Sequence, residues 1–466
     1  MAGTTGNLKP FEENQTGKRL VYLETLGCAK NRVDSEIMLG ALAREGYGLT
    51  TSPEAAQVII VNTCAFLTAA SEESIERILE LSDFKSSGQC EKLICAGCLS
   101  ERYREGLLNE IPELDGLLGS SDFQEIPTLI SNLYSGQESA RVILNKKPHY
   151  THYENQERIQ TTPSPFVYVK VSEGCSNMCA FCNIPFLRGY FSSRQVDSIV
   201  QEIEGHLARG IREINLISQD TSSYGLDLKN GTRLADLLKA VDRIEGKFWV
   251  RLFYAYPNTF GPPEVEAMAG SSRILPYLDM PFQHISDNVL TSMNRRISEA
   301  EIRDKLELLK TTIPNLTLRT TFITGFPTEQ ESDFERLLGF VEEGWFEHVG
   351  VFTYSEEDNI PARKMGDPVP NRVKRERRKA LLEAQQKIAS EKNQGRIGST
   401  LEVLVEGVHP ETELLVKARA AFQGPEVDGV VMINEGKTTV GTFEKVEITE
   451  AHAYDLVGKV IQSGEI

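Results

Sequence analysis

The sequence predicts a multidomain α/β protein: a parallel-sheet domain at the amino end, a partial barrel of six βα units in the middle, and a small antiparallel β-barrel at the carboxy end. Three observations carry this reading. Apolar runs of strand length alternate with amphipathic stretches from Leu20 to about Leu114; a second, longer series of the same alternation opens at FVYVK; and beyond about residue 395 the helical period vanishes while β-rich runs crowd together. Length agrees, since 466 residues correspond to about three domains. With 40% hydrophobic and 25% charged residues the composition is globular and excludes disordered and collagen-like chains.

Residues 1–17 are polar and aperiodic and are expected to be a mobile tail. The first domain, 18–145, takes its strands from RLVYLETLGC, QVIIVNTC and KLICAGC, each followed by a helical pattern, so the sheet is parallel with helices on its faces. A polar stretch without period, ending in TTPSP, marks a linker at 146–164. The second domain, 165–395, offers six strands: FVYVKVSEGC, REINLISQD, KFWVRLFYAYP, ILPYLDMPFQH, LTLRTTFITGFP and HVGVFTYS. Six are too few for a closed eight-fold barrel but suffice for a curved, partly open one with its chemistry at the strand carboxy ends. A charged helix follows at about 371–393, and the runs TLEVLVEGV, ELLVKARAAF, GVVMINE, TTVGTFEKVEITEA and GKVIQSG make the barrel of 396–466.

Charge and cysteine usage narrow the function. The 50 Lys and Arg against 67 Asp and Glu leave a net charge of −17, so a nucleic-acid partner needs a local basic patch working against the global field, whereas a basic protein partner fits directly. There is no apolar run of membrane-spanning length, and MAGTTGNLKPFEENQ has the form of no secretory leader, so a cytoplasmic protein without membrane attachment is expected. The eight Cys are not spaced as a disulfide framework, which points to metal-binding or catalytic thiols in a reducing compartment.

Cys175, Cys179 and Cys182 lie in EGCSNMCAFCNIP, directly after a strand. Three soft thiolates around one small volume select zinc or an iron–sulfur species. A structural zinc would want a fourth ligand, and none is near in sequence; a 4Fe–4S cube held by three Cys keeps one iron open for a substrate. Zinc completed by a distant residue remains the alternative, and with it a non-catalytic RNA-binding protein. Cys28, Cys64 and Cys98 form a second trio, each at the carboxy end of a strand of the first domain, where a doubly wound sheet gathers its ligands. Cys90 and Cys95 read as structural thiols, and Trp249 and Trp345 as core.

The Cys-x-x-x-Cys-x-x-Cys loop after the first strand of a βα series resembles the radical S-adenosylmethionine (SAM) superfamily. Two trios, one on a flavodoxin-like domain and one on such a barrel, followed by a barrel that resembles a TRAM domain, resemble the methylthiotransferases; LGCAKN, VNTC, GC and EGCSNMCAFCNIPFLRG fall in the family's order. The resemblance implies two 4Fe–4S clusters, one ligated by Cys175, Cys179 and Cys182 and an auxiliary one by Cys28, Cys64 and Cys98, with SAM bound at the open iron of the first. It also implies a 5′-deoxyadenosyl radical that takes a hydrogen atom no ordinary base removes, SAM used both as methyl donor and as radical source, and a flavodoxin- or ferredoxin-type reductant. Phe181 matches the family's aromatic near the adenine, with a core aromatic as its plain reading. Ser218, Gln219 and Asp220 end the second strand, where the family contacts the methionyl part of SAM, with substrate contact as the alternative. Gln283 and His284 end the fourth strand and Arg319 lies in the fifth, within reach of ribose, carboxylate or substrate; Arg319 reads equally as a buried ion pair. Gly325 and Pro327 form a turn suited to close approach of adenine, or simply a tight turn.

INLISQDTSSYGLDL resembles the branch that modifies the β-carbon of an aspartate in the twelfth small-subunit ribosomal protein; the alternative branch modifies isopentenyl-adenosine in tRNA. From Gly398 to Ile466 five Lys and Arg stand against twelve Asp and Glu, a net of −7, which suits a basic ribosomal protein better than tRNA. RVKRERRK at 372–379 reads as a solvated helix face, and Lys417 and Arg419 as rim or plain surface.

Overall fold

The computed structural model describes residues 19–136, 140–145, 157–163 and 165–461. The tail expected at 1–17 and most of the linker expected at 146–164 lie outside them.

Strands β1 (Leu20–Thr25), β2 (Gly48–Leu49), β3 (Val58–Thr63), β4 (Lys92–Gly97), β5 (Gly116–Gly119) and β6 (Val142–Ile143) form one sheet in the order β2-β1-β3-β4-β5-β6. All its pairings are parallel. β3, VIIVNT, is buried along its whole length, as a strand covered by helices on both faces must be. The order reverses between β1 and β3, and Cys28 and Cys64 follow those two strands. They therefore flank the crevice where open α/β sheets bind ligands.

The second sheet is built from β7 (Phe166–Lys170), β10 (Glu213–Ile217), β11 (Trp249–Leu252), β12 (Ile274–Asp279), β13 (Thr317–Thr324) and β14 (His348–Thr353), with β8 (Ser172–Glu173) and β9 (Ser192–Ser193) as a separate antiparallel pair. Its order is β14-β13-β12-β11-β10-β7, parallel throughout. One residue in two along these strands, such as Val167, Val169, Ile214, Leu216 and Val250, faces the surrounding helices in one apolar core. The intervening residues face the concave side, and there the sequence places charge: Lys170, Glu213, Arg251 and Arg319.

Those charges are met partly within the middle domain and partly by the other two. Strands β15 (Thr400–His409), β16 (Thr412–Ala420), β17 (Val431–Glu435), β18 (Phe443–Ala451) and β19 (Leu456–Val460) close a barrel in the order β15-β16-β17-β19-β18. It is antiparallel except for β17 and β19, which pair parallel, a departure from the wholly antiparallel expectation. Arg419 leaves β16 to meet Glu213, with Arg251 Nε donating to the same carboxylate at 2.9 Å and Arg419 Nε to Glu406 at 2.5 Å. Arg419 is therefore neither rim nor plain surface: the face of β16 that carries it is covered by the middle domain. Asp428 accepts from Tyr277 at 2.7 Å and stands 3.5 Å from Arg319.

Within the linker expected at 146–164, residues 157–163 are anchored: Arg158 pairs with Glu36 and Glu202, and Thr161 N–H donates to Glu36 at 2.7 Å, tying the helix Ala29–Arg44 to the barrel. One further expectation is revised. Within RVKRERRK, Arg372, Arg375, Arg378 and Lys379 are exposed, but Lys374 and Arg377 are buried, paired with Asp367 at 2.5 Å and Glu329 at 2.6 Å. The helix Asn371–Gln394 lays Leu381 into the barrel core, which carries those two cations inward with it. Among the described residues no helix is long and apolar enough to cross a membrane.

Candidate functional site

β1, β3 and β4 are adjacent, so their carboxy ends deliver Cys28, Cys64 and Cys98 to one edge of the first sheet. Cys28 is exposed at the cap of the helix Ala29–Arg44, Cys64 is half-buried, and Cys98 is buried at the start of the helix Cys98–Tyr103. Burial, with Cys98 and Cys28 as near neighbours, pushes the Cys64 thiol up to about 12. Burial raises Cys98 as well, against the opposing pull of Arg188, which hydrogen-bonds to its sulfur. Thiols raised this way stay protonated at neutral pH until a metal displaces the proton. The turn before Cys28 depends on Gly27, whose φ is +90° and whose added methyl would lie 2.6 Å from Cys64 Cβ and 3.1 Å from its sulfur. Gly27→Ala is expected to strain the turn by about 1 kcal/mol or more and to push Cys64 aside. The check is iron bound by the first trio after reconstitution, which should fall while the circular dichroism spectrum holds.

The second trio sits on the loop after β8. Cys175 N–H donates to Gly189 O at 3.1 Å and Cys182 N–H to Cys179 O at 3.1 Å. Ala180, between them, donates to Met293 O and accepts from Ala362 N–H, both at 2.9 Å. Gly174 opens the loop at φ +75°, where a methyl would run into Tyr190 O and Gly189 O. Arg295 donates to Cys179 Sγ at 3.5 Å. Burial, with Asp220 and Cys179 nearby, pushes the Cys175 thiol up to about 12, and burial with Cys179 beside it raises Cys182 further.

A buried charge cluster joins the two trios. Lys170 Nζ donates at 2.5 Å to both Asp34 and Glu173; Arg188 Nη1 donates to Asp34 at 2.6 Å and stands 3.6 Å from Glu173; and Gln219 Nε2 donates to Glu173. Arg188 thus touches Cys98 of one trio, while Glu173 lies two residues before Cys175 of the other. Nothing singled out Arg188, Lys170, Asp34 or Glu173 in the sequence, although a lysine ending the apolar run FVYVK was a readable signal.

The remaining expected residues divide. Gln219 Oε1 is buried without a hydrogen-bond partner among the described residues, and so is free to take a ligand donor. Ser218 is fully buried and accepts from Asp220 N–H at 3.0 Å. The Asp220 carboxylate is already occupied: it takes Asn177 Nδ2 at 2.7 Å, Ser222 Oγ at 2.8 Å and Ser223 Oγ at 2.6 Å. Asn177 stands between Cys175 and Cys179, so Asp220 ties the second strand's end to the thiol loop. Phe181 packs against the cluster that holds Phe326 and Tyr354, close to the turn at Gly325 and Pro327. Gln283 has left β12 and adopts φ +73°, bonding both ways with β13 through Thr321 O and Ile323 N–H. His284 is fully buried, 3.6 Å from Glu329 and accepting from Ser286 N–H at 3.0 Å through Nδ1. Arg319 makes the ion-pair choice: it bonds Asp279 at 2.9 Å and lies near Asp428 of the third domain.

Among the described residues no three His, Cys, Asp or Glu side chains close around one point in the manner of a single-ion site. A cube in which each thiolate bonds its own iron does not require them to. The donor set fits such a cluster: only thiols at each site, with a cation, Arg295 or Arg188, against a sulfur.

A half-open parallel barrel with a three-cysteine loop at its carboxy edge defines a radical SAM enzyme, and residues 169–341 match the radical SAM superfamily. Residues 20–119 match the uncharacterized protein family UPF0004 and 397–461 the TRAM domain. The ribosomal protein uS12 methylthiotransferase RimO of Anaeromyxobacter sp. (strain K) is 46% identical over 95% of this chain and 93% of its own length. That of Syntrophotalea carbinolica is 43% identical over 97% and 99%. The chain belongs to the RimO family of uS12 methylthiotransferases. SAM and 4Fe–4S clusters are the cofactors of this class. Among solved structures, the radical SAM methyltransferase TsrM of Kitasatospora setae with cobalamin and a [4Fe–4S] cluster bound shares the fold, with a TM-score of 0.56 at 13% identity over 74% of this chain and 77% of that one.

Proposed function

We propose that the chain adds a methylthio group to the β-carbon of an aspartate in ribosomal protein uS12, with Cys175, Cys179 and Cys182 holding the SAM-cleaving cluster and Cys28, Cys64 and Cys98 the auxiliary one. The observation that carries this reading is the Lys170–Asp34–Arg188–Glu173 cluster, which fixes two all-thiol sites against one another across a domain boundary. When bound, SAM and the two clusters supply hydrogen-atom abstraction and the sulfur. A β-methylene beside a carboxylate has no acidic proton for a base to remove, so the chain's own task is positioning and exclusion of water.

Arg295 orients Cys179 and compensates its charge; Arg188 does the same for Cys98. Asp220 holds the thiol loop through Asn177 while capping the turn Thr221–Ser223. Gln219, fixed through its amide nitrogen by Glu173, presents its oxygen to the methionyl part of SAM. Phe181 lies on the adenine side, and Gln283 is held at the mouth in a strained backbone conformation of the kind that gathers at functional sites. Arg319 is assigned to holding the third domain rather than to SAM. The electron donor is a flavodoxin- or ferredoxin-type protein, and eight free thiols suit a reducing cytoplasm.

The acidic third domain supports a basic protein partner less strongly than its net charge suggests, because Glu406, Glu426 and Asp428 are spent on internal cations. The test is therefore direct. Reconstituted enzyme is incubated anaerobically with SAM, reductant and sulfide, offered uS12 and isopentenylated tRNA in parallel, and both are read by mass spectrometry. A methylthio adduct on a uS12 aspartate is the expected result; an adduct on tRNA alone overturns it.

A further inference from the structure

Of the nine buried Lys and Arg side chains among the described residues, seven have a carboxylate within ion-pair distance. The exceptions are Arg295 and Lys30. Arg295 faces the sulfur of Cys179, so its anion is a cluster ligand. Lys30 is 7% exposed, and among the described residues its ammonium meets only the ring of Tyr254, 3.0 Å from the centroid. A lysine is seldom buried without an anion, and a ring face offsets only part of the lost hydration.

The place of Lys30 identifies the missing anion. It lies two residues after Cys28, in the first turn of the helix Ala29–Arg44. The cation that acts on Cys64 and Cys98 is Arg188. Lys30 reaches Tyr254, just past the carboxy end of β11. Tyr254 is held there at φ +63°, its N–H on Asp279 at 3.3 Å and its carbonyl accepting from Thr221 N–H at 2.9 Å. Thr221 follows Asp220, which ties that loop to Asn177 between two thiols of the second trio. Lys30 thus follows a cysteine of the first trio and, through Tyr254, Thr221, Asp220 and Asn177, is linked to the loop of the second.

Resting on the function proposed above, we infer that Lys30 binds the β-carboxylate of the substrate aspartate. That carboxylate is attached directly to the carbon that is to be modified, so a cation seated on it fixes the reacting C–H with one bond of leverage. The same charge selects against a neutral base such as adenine, which offers no anion there. Tyr254 is a positioning residue, its ring setting the direction of the ammonium.

The test is a double-mutant cycle on the reconstituted enzyme. Lys30→Met keeps the apolar stem and removes the charge; Lys30→Arg restores a cation; the substrate is uS12 with its modified aspartate intact or changed to Asn. Lys30→Met is expected to lower kcat/KM for the aspartate substrate roughly 10- to 100-fold, the worth of one charge-assisted hydrogen bond. Lys30→Arg should recover most of that loss, and the Asn substrate should lose little further with Lys30→Met. Iron content and the electron paramagnetic resonance spectra of both clusters should match the wild type. Equal turnover by Lys30→Met, an equal penalty on both substrates, or an altered auxiliary spectrum overturns the inference. If the wild type modifies no uS12 aspartate, the parent reading fails and this one falls with it.

Discussion

Ala in place of Cys175, Cys179 or Cys182 is expected to abolish 5′-deoxyadenosine formation and methylthio transfer together, a loss of roughly 10⁶-fold or more, since the entire enzymatic acceleration is at stake. No other side chain in the loop substitutes: Asn177, Met178 and Phe181 offer no anionic sulfur or oxygen. Bound iron should fall by one cluster and no more. Ala in place of Cys28, Cys64 or Cys98 is expected to remove the other cluster's iron and stop methylthio transfer while SAM cleavage persists. The internal control is Cys95, which is fully buried in β4 and accepts from Ser100 Oγ at 3.2 Å. Cys95→Ala should cost packing alone, about 1 kcal/mol for a small buried group, with iron unchanged. Iron and sulfide assays with mass spectrometry of both products separate these outcomes. Full iron in a Cys64→Ala protein removes Cys64 from the auxiliary site, and lost iron in Cys95→Ala brings Cys95 into it.

The two trios were legible because both signals are local. A three-thiol spacing is read within eight residues, and a strand-end cysteine needs only the strand pattern and the parallel topology to be placed with its fellows. What joins the trios was not legible. Asp34 and Lys170 are 136 residues apart and Glu213 and Arg419 are 206 apart, and periodicity carries no information about which distant face covers a given charge. Arg419 was read as rim or plain surface because nothing in the sequence says that Glu213 lies against that face of β16. The parallel pairing of β17 with β19 escaped for the same reason: strand signals fix existence and direction along the chain, while neighbours in a closed barrel are set by packing. A single charge inside an apolar strand, as in FVYVK, REINLI or WVRLF, was the one sign that the barrel interior is polar and therefore filled by something else.

Glu213→Gln is expected to be the most destabilising single change outside the thiol sites. Glu213, Arg251 and Arg419 are each almost wholly buried, and two guanidiniums share the one carboxylate. Removing its charge leaves Arg251 without an anion and Arg419 with Glu406 alone, at a cost of about 3–5 kcal/mol. Arg419→Met should cost less, because Glu213 then keeps Arg251 and a flexible apolar chain fills the space. The ordering distinguishes a charge network from simple packing, which would make the larger truncation at Arg419 the worse one. Burial alone would raise the Glu213 carboxyl, but Arg419 and Arg251 outweigh it and hold it below its ordinary value. Its contribution is therefore complete above the unfolded glutamate value of about 4.3 and is lost as pH falls through the depressed folded value, never on the alkaline side. Denaturant titrations at neutral and acid pH should show the wild type and Glu213→Gln converging as acid is added. Because Arg419 brings the third domain to this carboxylate and Ala421 O accepts from Arg251 Nη1 at 2.8 Å, limited proteolysis between the helix Asn371–Gln394 and β15 should become faster in the variant. Unchanged cleavage there, with stability lost, would mean that the network holds the middle barrel rather than the joint between domains.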